Sequence, residues 1–163
     1  MRPAFSPMKK TLPFAALLLC CLIGLPSCKK YEEGPWISFS KPENRIRGIW
    51  ELSAVYKNGN KTATEAPSEV ETPDGTWELY KTGTVLITYY SGNTVLKSNG
   101  SWKFNNNKEN LNMTFTTRYA SASRSYKILR LTHKEMKIQH TDSDGVKWVL
   151  AFSMIQSFAG YEY

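Results

Sequence analysis

The sequence predicts an all-β domain: eight antiparallel strands in an up-and-down barrel, placed after a signal peptide and a short linker. Three observations carry this. Apolar and polar residues alternate with period two from Ile46 onward. Gly, Asn and Asp turns interrupt the alternation at short intervals. The last segment sets Val146, Trp148, Leu150, Phe152 and Met154 on a single face. The composition agrees: 163 residues, 41% apolar and 21% charged with three cysteines, is neither a disordered chain nor a disulfide-dense miniature, and has room for one core.

Three regions follow: a leader over 1–27, a linker over 28–44 and the barrel over 45–163. In the leader, Met8, Lys9 and Lys10 form a cationic start, with Met1 and Met8 both open as the first residue. Leu12 to Gly24 (LPFAALLLCCLIG) is an apolar run of signal-peptide length, short of the roughly 20 residues that span a bilayer. It ends in Leu25-Pro26-Ser27-Cys28, which resembles a lipobox: an aliphatic residue three before a cysteine, a small residue before it, then the thiol that takes the lipid. Cleavage there leaves 136 residues with 18 basic and 14 acidic side chains, so the formal +7 falls to +4. Cys20 and Cys21 leave with the leader and Cys28 is acylated, so no thiol remains for a disulfide, a zinc site or a nucleophile. Two or three acyl chains give stable anchoring to a membrane without crossing it. Lys29-Lys30-Tyr31-Glu32-Glu33-Gly34-Pro35 reads as a polar tether. Lys29 after the cysteine resembles lipoproteins sorted to the outer membrane, and Glu32 and Glu33 weakly resemble a surface-export signal; a plain soluble linker is the alternative reading.

The first strand starts at Ile46, with Gly48, Trp50, Leu52, Ala54 and Tyr56 on the same parity. Lys57-Asn58-Gly59-Asn60 ends it, and a loop rich in Thr, Glu and Pro runs to Asp74. Further strands are expected over 75–80, 84–90, 95–104, 110–117, 124–131, 135–141 and 146–155, most joined by tight hairpin turns. A last strand this apolar would aggregate as a free edge, so pairing it with the first strand closes the sheet.

Gly48-Ile49-Trp50, preceded by Arg45 and Arg47, resembles the G-x-W signature of lipocalins, and the whole arrangement resembles the lipocalin-like lipoproteins of Gram-negative bacteria over nearly the full mature chain. The resemblance implies a barrel plugged at one end by Trp50, and a small apolar ligand within or at the mouth. Lipocalins usually lay an arginine from the last strand over that Trp. No arginine follows Arg130 here, so the contact is either absent or supplied by Arg45 or Arg47. Gly75-Thr76-Trp77 and Gly100-Ser101-Trp102 repeat the spacing and read as turn glycines before core aromatics.

Signals for catalysis are sparse. His133 and His140 are the only histidines, too few for a metal site, and His140 reads as a core or barrel-mouth residue. Asp142-Ser143-Asp144-Gly145 opens like a calcium loop but lacks the distal Glu, so it reads as a turn. No G-x-S-x-G element occurs in the mature chain. Glu65, Glu69, Glu71 and Asp74 lie in one loop, where repulsion and solvent are the default. Arg118, Arg124, Lys127, Arg130, Lys134 and Lys137 form a basic cluster suited to a solvated outer face or to lipid headgroups. No cofactor and no nucleic-acid partner is expected. Two functions compete: a barrel holding a small hydrophobic ligand, or a filled barrel serving an outer-membrane protein partner. Ligand contacts would come from Trp50, Tyr56, Trp77, Tyr89, Phe115, Trp148, Leu150 and Phe152, with Tyr56 and the segment 62–73 across the open end.

Overall fold

The structure is a computed structural model and describes residues 30–35, 38–116 and 121–160. The leader, Cys28, Lys29 and Arg118 lie outside the described residues. In chain order the elements are α1 (Pro42–Ile46), β1 (Gly48–Lys57), β2 (Asn60–Thr62), a 3-10 turn (Glu69–Glu71), β3 (Thr76–Leu79), β4 (Thr84–Ser91), β5 (Thr94–Phe104), β6 (Asn110–Thr116), β7 (Ser121–Leu131), β8 (Glu135–Thr141) and β9 (Lys147–Ser157). Consecutive strands pair antiparallel from β3 to β9. β1 pairs with both β3 and β9, which closes an eight-stranded barrel. The short β2 only extends the hairpin after β1.

Closure rests on the longest-range pairing in the chain, Leu52 opposite Phe152 and Val55 opposite Leu150, all four buried. The inward parity is not uniform, however. A bulge in β1 between Leu52 and Ala54 inserts one residue, and a one-residue slip turns every following side chain to the other face. Val55 therefore faces the core, while Tyr56 pairs with Val149 on the outer face and is half-buried. This corrects the expectation that Tyr56 lines the mouth.

Gly48 sits where a Cβ would overlap the carbonyl oxygen of Gln156 on β9, so the first residue of G-x-W is set by close approach of two backbones. Gly100 is likewise no turn residue. It lies within β5 opposite Val85 and Phe115, where a Cβ would overlap the Thr114 carbonyl oxygen. Trp77 and Trp102 are core aromatics, as the pattern implied.

The end of the barrel that holds Trp50 is closed by the segment before β1. Residues 42–46 form a short helix, with Pro42 in the first turn where its missing N–H costs nothing, so Ile46 belongs to a helix and not to the first strand. Ile46 is fully buried and its carbonyl accepts the Trp50 indole N–H at 2.7 Å.

The linker departs most from expectation. It is no free tether where it is described: Tyr31 is buried within the core cluster and its hydroxyl donates to the Lys108 carbonyl at 3.1 Å. The Glu33 N–H donates to the Leu129 carbonyl at 2.8 Å, at the point where a register shift breaks the β7–β8 ladder. Glu32 pairs with Lys127 and Glu33 with Lys137, and Arg130 donates to the Glu33 carbonyl at 2.6 Å. Much of the basic cluster is thus met by the chain's own acidic linker.

Candidate functional site

The loop after β2 crosses the barrel end opposite Trp50. Its course is fixed by backbone contacts on three strands: the Asp74 N–H to the Leu52 carbonyl on β1 (3.1 Å), the Trp77 indole of β3 to the Val70 carbonyl (3.3 Å), and Arg124 Nη2 of β7 to the Pro67 carbonyl (3.2 Å). The 3-10 turn at its centre carries Val70 and Glu71 into the interior, where both are fully buried. The expectation of a solvated acidic loop is corrected at Glu71.

Glu71 is held by three donors. Its Oε1 accepts from the Tyr126 hydroxyl at 2.7 Å, and its Oε2 from the Ser68 hydroxyl at 2.5 Å and the Arg124 Nη1 at 3.0 Å. Arg124 and Tyr126 lie two apart on β7 and share the inward face with Met113 and Leu111, their partners on β6. Arg124 is therefore not part of the outer basic cluster. The same Nη1 lies 2.7 Å from His140 Nε2. A guanidinium only donates, so Nε2 accepts and the imidazole proton sits on Nδ1, which is buried without a partner.

Burial dominates the electrostatics. It pushes the Glu71 carboxyl up, against the pull of Arg124 and the hydroxyls of Ser68 and Tyr126. Burial and then Glu71 drive the Tyr126 phenol well above its ordinary range. Burial, with Arg124 adding to it, pulls His140 down to about 4. His140 is thus a neutral interior histidine near neutral pH.

Trp50, Trp77, Tyr89, Phe115, Trp148, Leu150 and Phe152 all belong to the one core cluster. Below Glu71, Trp77 packs 4.8 Å from Phe152 and 6.0 Å from Tyr126, centroid to centroid. Trp148 lies at the rim, where its indole donates to Asp142 Oδ2 at 3.1 Å and Lys57 stands 5.5 Å over its ring. The Asp142 Oδ1 accepts from the Asp144 and Val146 N–H groups, so this carboxylate serves its own turn. Arg45 lies over the Tyr31 ring at 5.7 Å and donates to the Leu131 carbonyl, leaving its ring contact to Tyr31 instead of Trp50. Among the described residues no group of three His, Cys, Asp or Glu side chains is placed to hold a metal, and no helix is long and apolar enough to cross a membrane.

Sequence reasoning missed the Ser68–Glu71–Arg124–Tyr126–His140 cluster. One signal was there: Arg124 shares its parity with Ala122, Tyr126 and Ile128, and a guanidinium on an inward parity requires a buried anion.

The fold defines a lipocalin-like barrel. Insecticyanin from the tobacco hornworm Manduca sexta, a lipocalin, superposes with a TM-score of 0.53 at 12% identity, over 71% of this chain and 65% of its own. No family model matches the sequence, and no curated protein matches it.

Proposed function

We propose that this chain is a non-catalytic, lipid-anchored lipoprotein of the outer membrane, whose lipocalin-like barrel binds a small apolar ligand at the end covered by residues 62–73. The observation that carries the binding reading is the division of the interior. Strand side chains pack its lower part, whereas at the covered end two of the fully buried side chains, Val70 and Glu71, come from a loop. A ligand enters by displacing the loop and leaves the strands in place. The resemblance of Leu25 to Cys28 to a lipobox supports the anchor. Metabolic labelling with a fatty-acid analogue then marks the wild type and not Cys28→Ser; equal labelling refutes the anchor.

The packed interior favours a second reading, a filled barrel that presents its outer surface to an outer-membrane protein partner. An eight-stranded barrel is just wide enough to be filled by its own side chains or to hold one small ligand. Titration with fatty acids, haem and other apolar compounds, followed by tryptophan fluorescence, separates the two. If neither loop deletion nor Trp148→Ala alters any measured binding, the interaction reading replaces the ligand reading.

A further inference from the structure

We propose that the covered end of the barrel is a site for an apolar molecule ending in a carboxylate, and that Val70 and Glu71 are the chain's own stand-in for that ligand. This deepens the apolar-ligand reading and rests on it.

Some groups of this cluster are fixed in the barrel wall and others can move. Arg124 and Tyr126 on β7 and His140 on β8 are held in paired strands of the barrel wall. Glu71 comes from a three-residue 3-10 turn inside a connection that runs from Thr62 to Thr76 without strand pairing. Its carboxylate is bound by donors carried on the barrel wall, the Arg124 guanidinium and the Tyr126 hydroxyl. A planar guanidinium fork beside a second donor suits any carboxylate, whether it arrives on this chain or on another molecule.

Two further features point to a ligand. His140, whose Nε2 meets the Arg124 guanidinium, carries a buried Nδ1 with no partner. Glu71 uses only part of the donor set around it, since Arg124 Nη2 turns instead to the Pro67 carbonyl of the same loop. Withdrawal of the loop removes Val70 and Glu71 together. It vacates an apolar slot against Trp77, whose indole holds the Val70 carbonyl, next to a cationic one at Arg124. An apolar side chain followed directly by a carboxylate reproduces both ends of such a ligand. An uncompensated guanidinium on the inner wall would be costly, so one carboxylate must replace the other as the loop leaves.

The test titrates the purified full chain with oleate and with oleyl alcohol, which has the same tail without the charge, reading tryptophan fluorescence. Glu71→Gln keeps the size of the side chain but gives up its charge, and is expected to bind oleate at least tenfold more tightly than the wild type. Ser68→Ala loosens the same contact and shifts affinity in the same direction by a smaller factor. Arg124→Met abolishes the preference for oleate over oleyl alcohol; should it fail to fold by circular dichroism, Tyr126→Phe removes one donor without a change of charge and must reduce that preference. Equal binding of the two probes by the wild type and every variant overturns the carboxylate site while leaving the apolar-ligand reading intact. Binding of neither probe by any variant overturns both.

Discussion

His140 shows how one buried side chain ties the barrel rim to pH. Its imidazole faces Arg124 from β7, Asp142 at the end of its own strand, and the Tyr126 ring at 5.5 Å, with Glu71 beyond the guanidinium. Burial and Arg124 lower its pKa from 6.5 to about 4, and Asp142 opposes them. Between those values the unfolded chain binds the proton that the folded chain refuses. The contribution is therefore present in full above about pH 6.5 and is lost as pH falls toward 4, by up to about 3 kcal/mol. Glu71 acts in the opposite sense, because its raised pKa weakens the fold as pH rises. Comparison with His140→Gln isolates the histidine. The stability advantage of the wild type over the variant, from urea melts, should shrink between pH 7 and pH 4; a constant difference would disprove the assignment. Gly100 gives a second residue-scale expectation. Because its missing Cβ would meet the Thr114 backbone, Gly100→Ala should destabilise by about 1–3 kcal/mol through displacement of β5 from β6.

At the scale of elements, the docked linker separates burial from charge. Tyr31 is buried against the barrel, whereas the Glu32–Lys127 and Glu33–Lys137 pairs are exposed. Exposed pairs contribute well under about 1 kcal/mol each, while truncating a buried aromatic ring costs about 3 kcal/mol or more. Tyr31→Ala should therefore lower the thermal midpoint and open the segment near Gly34 to protease, and Glu33→Gln should do neither beyond about 1 kcal/mol. Equal effects of the two would show that the acidic residues, not the ring, hold the segment. Docking also bears on the proposed anchor. Cys28 stands two positions before Lys30, a span of at most about 7 Å, so the proposed anchor keeps the bilayer close to the barrel instead of at the end of a long tether.

For the whole molecule, closure by β1 and β9 joins strands from the two ends of the described chain. Non-local pairing must wait for loop closure, so folding is expected on the scale of milliseconds to seconds in stopped-flow tryptophan fluorescence. Complete refolding within about 100 µs would contradict a barrel whose closing pair forms late.

The eight strands of the barrel were legible in the sequence because alternation is local: from Trp77 to Phe152, apart from the register shift after Ile128, inward residues announce their face through neighbours two positions away. Burial of Trp50, Trp77, Tyr89, Phe115, Trp148, Leu150 and Phe152 in one core followed from the same rule. Tyr56 escaped it, because the bulge that turns it outward is a property of the β1–β9 register and leaves no mark in β1 alone. Glu71 escaped it for a related reason. Four loop carboxylates look alike in the chain, and only the fold selects the one that reaches Arg124, 53 positions further on. The linker's polar composition likewise suggested solvent, until Tyr31 and the carbonyl of Leu129 gave it a place to bind. Sequence by itself determined which residues turn inward wherever the period runs unbroken; tertiary structure decided where the period slips and which buried charge meets which, because both depend on partners distant in the chain.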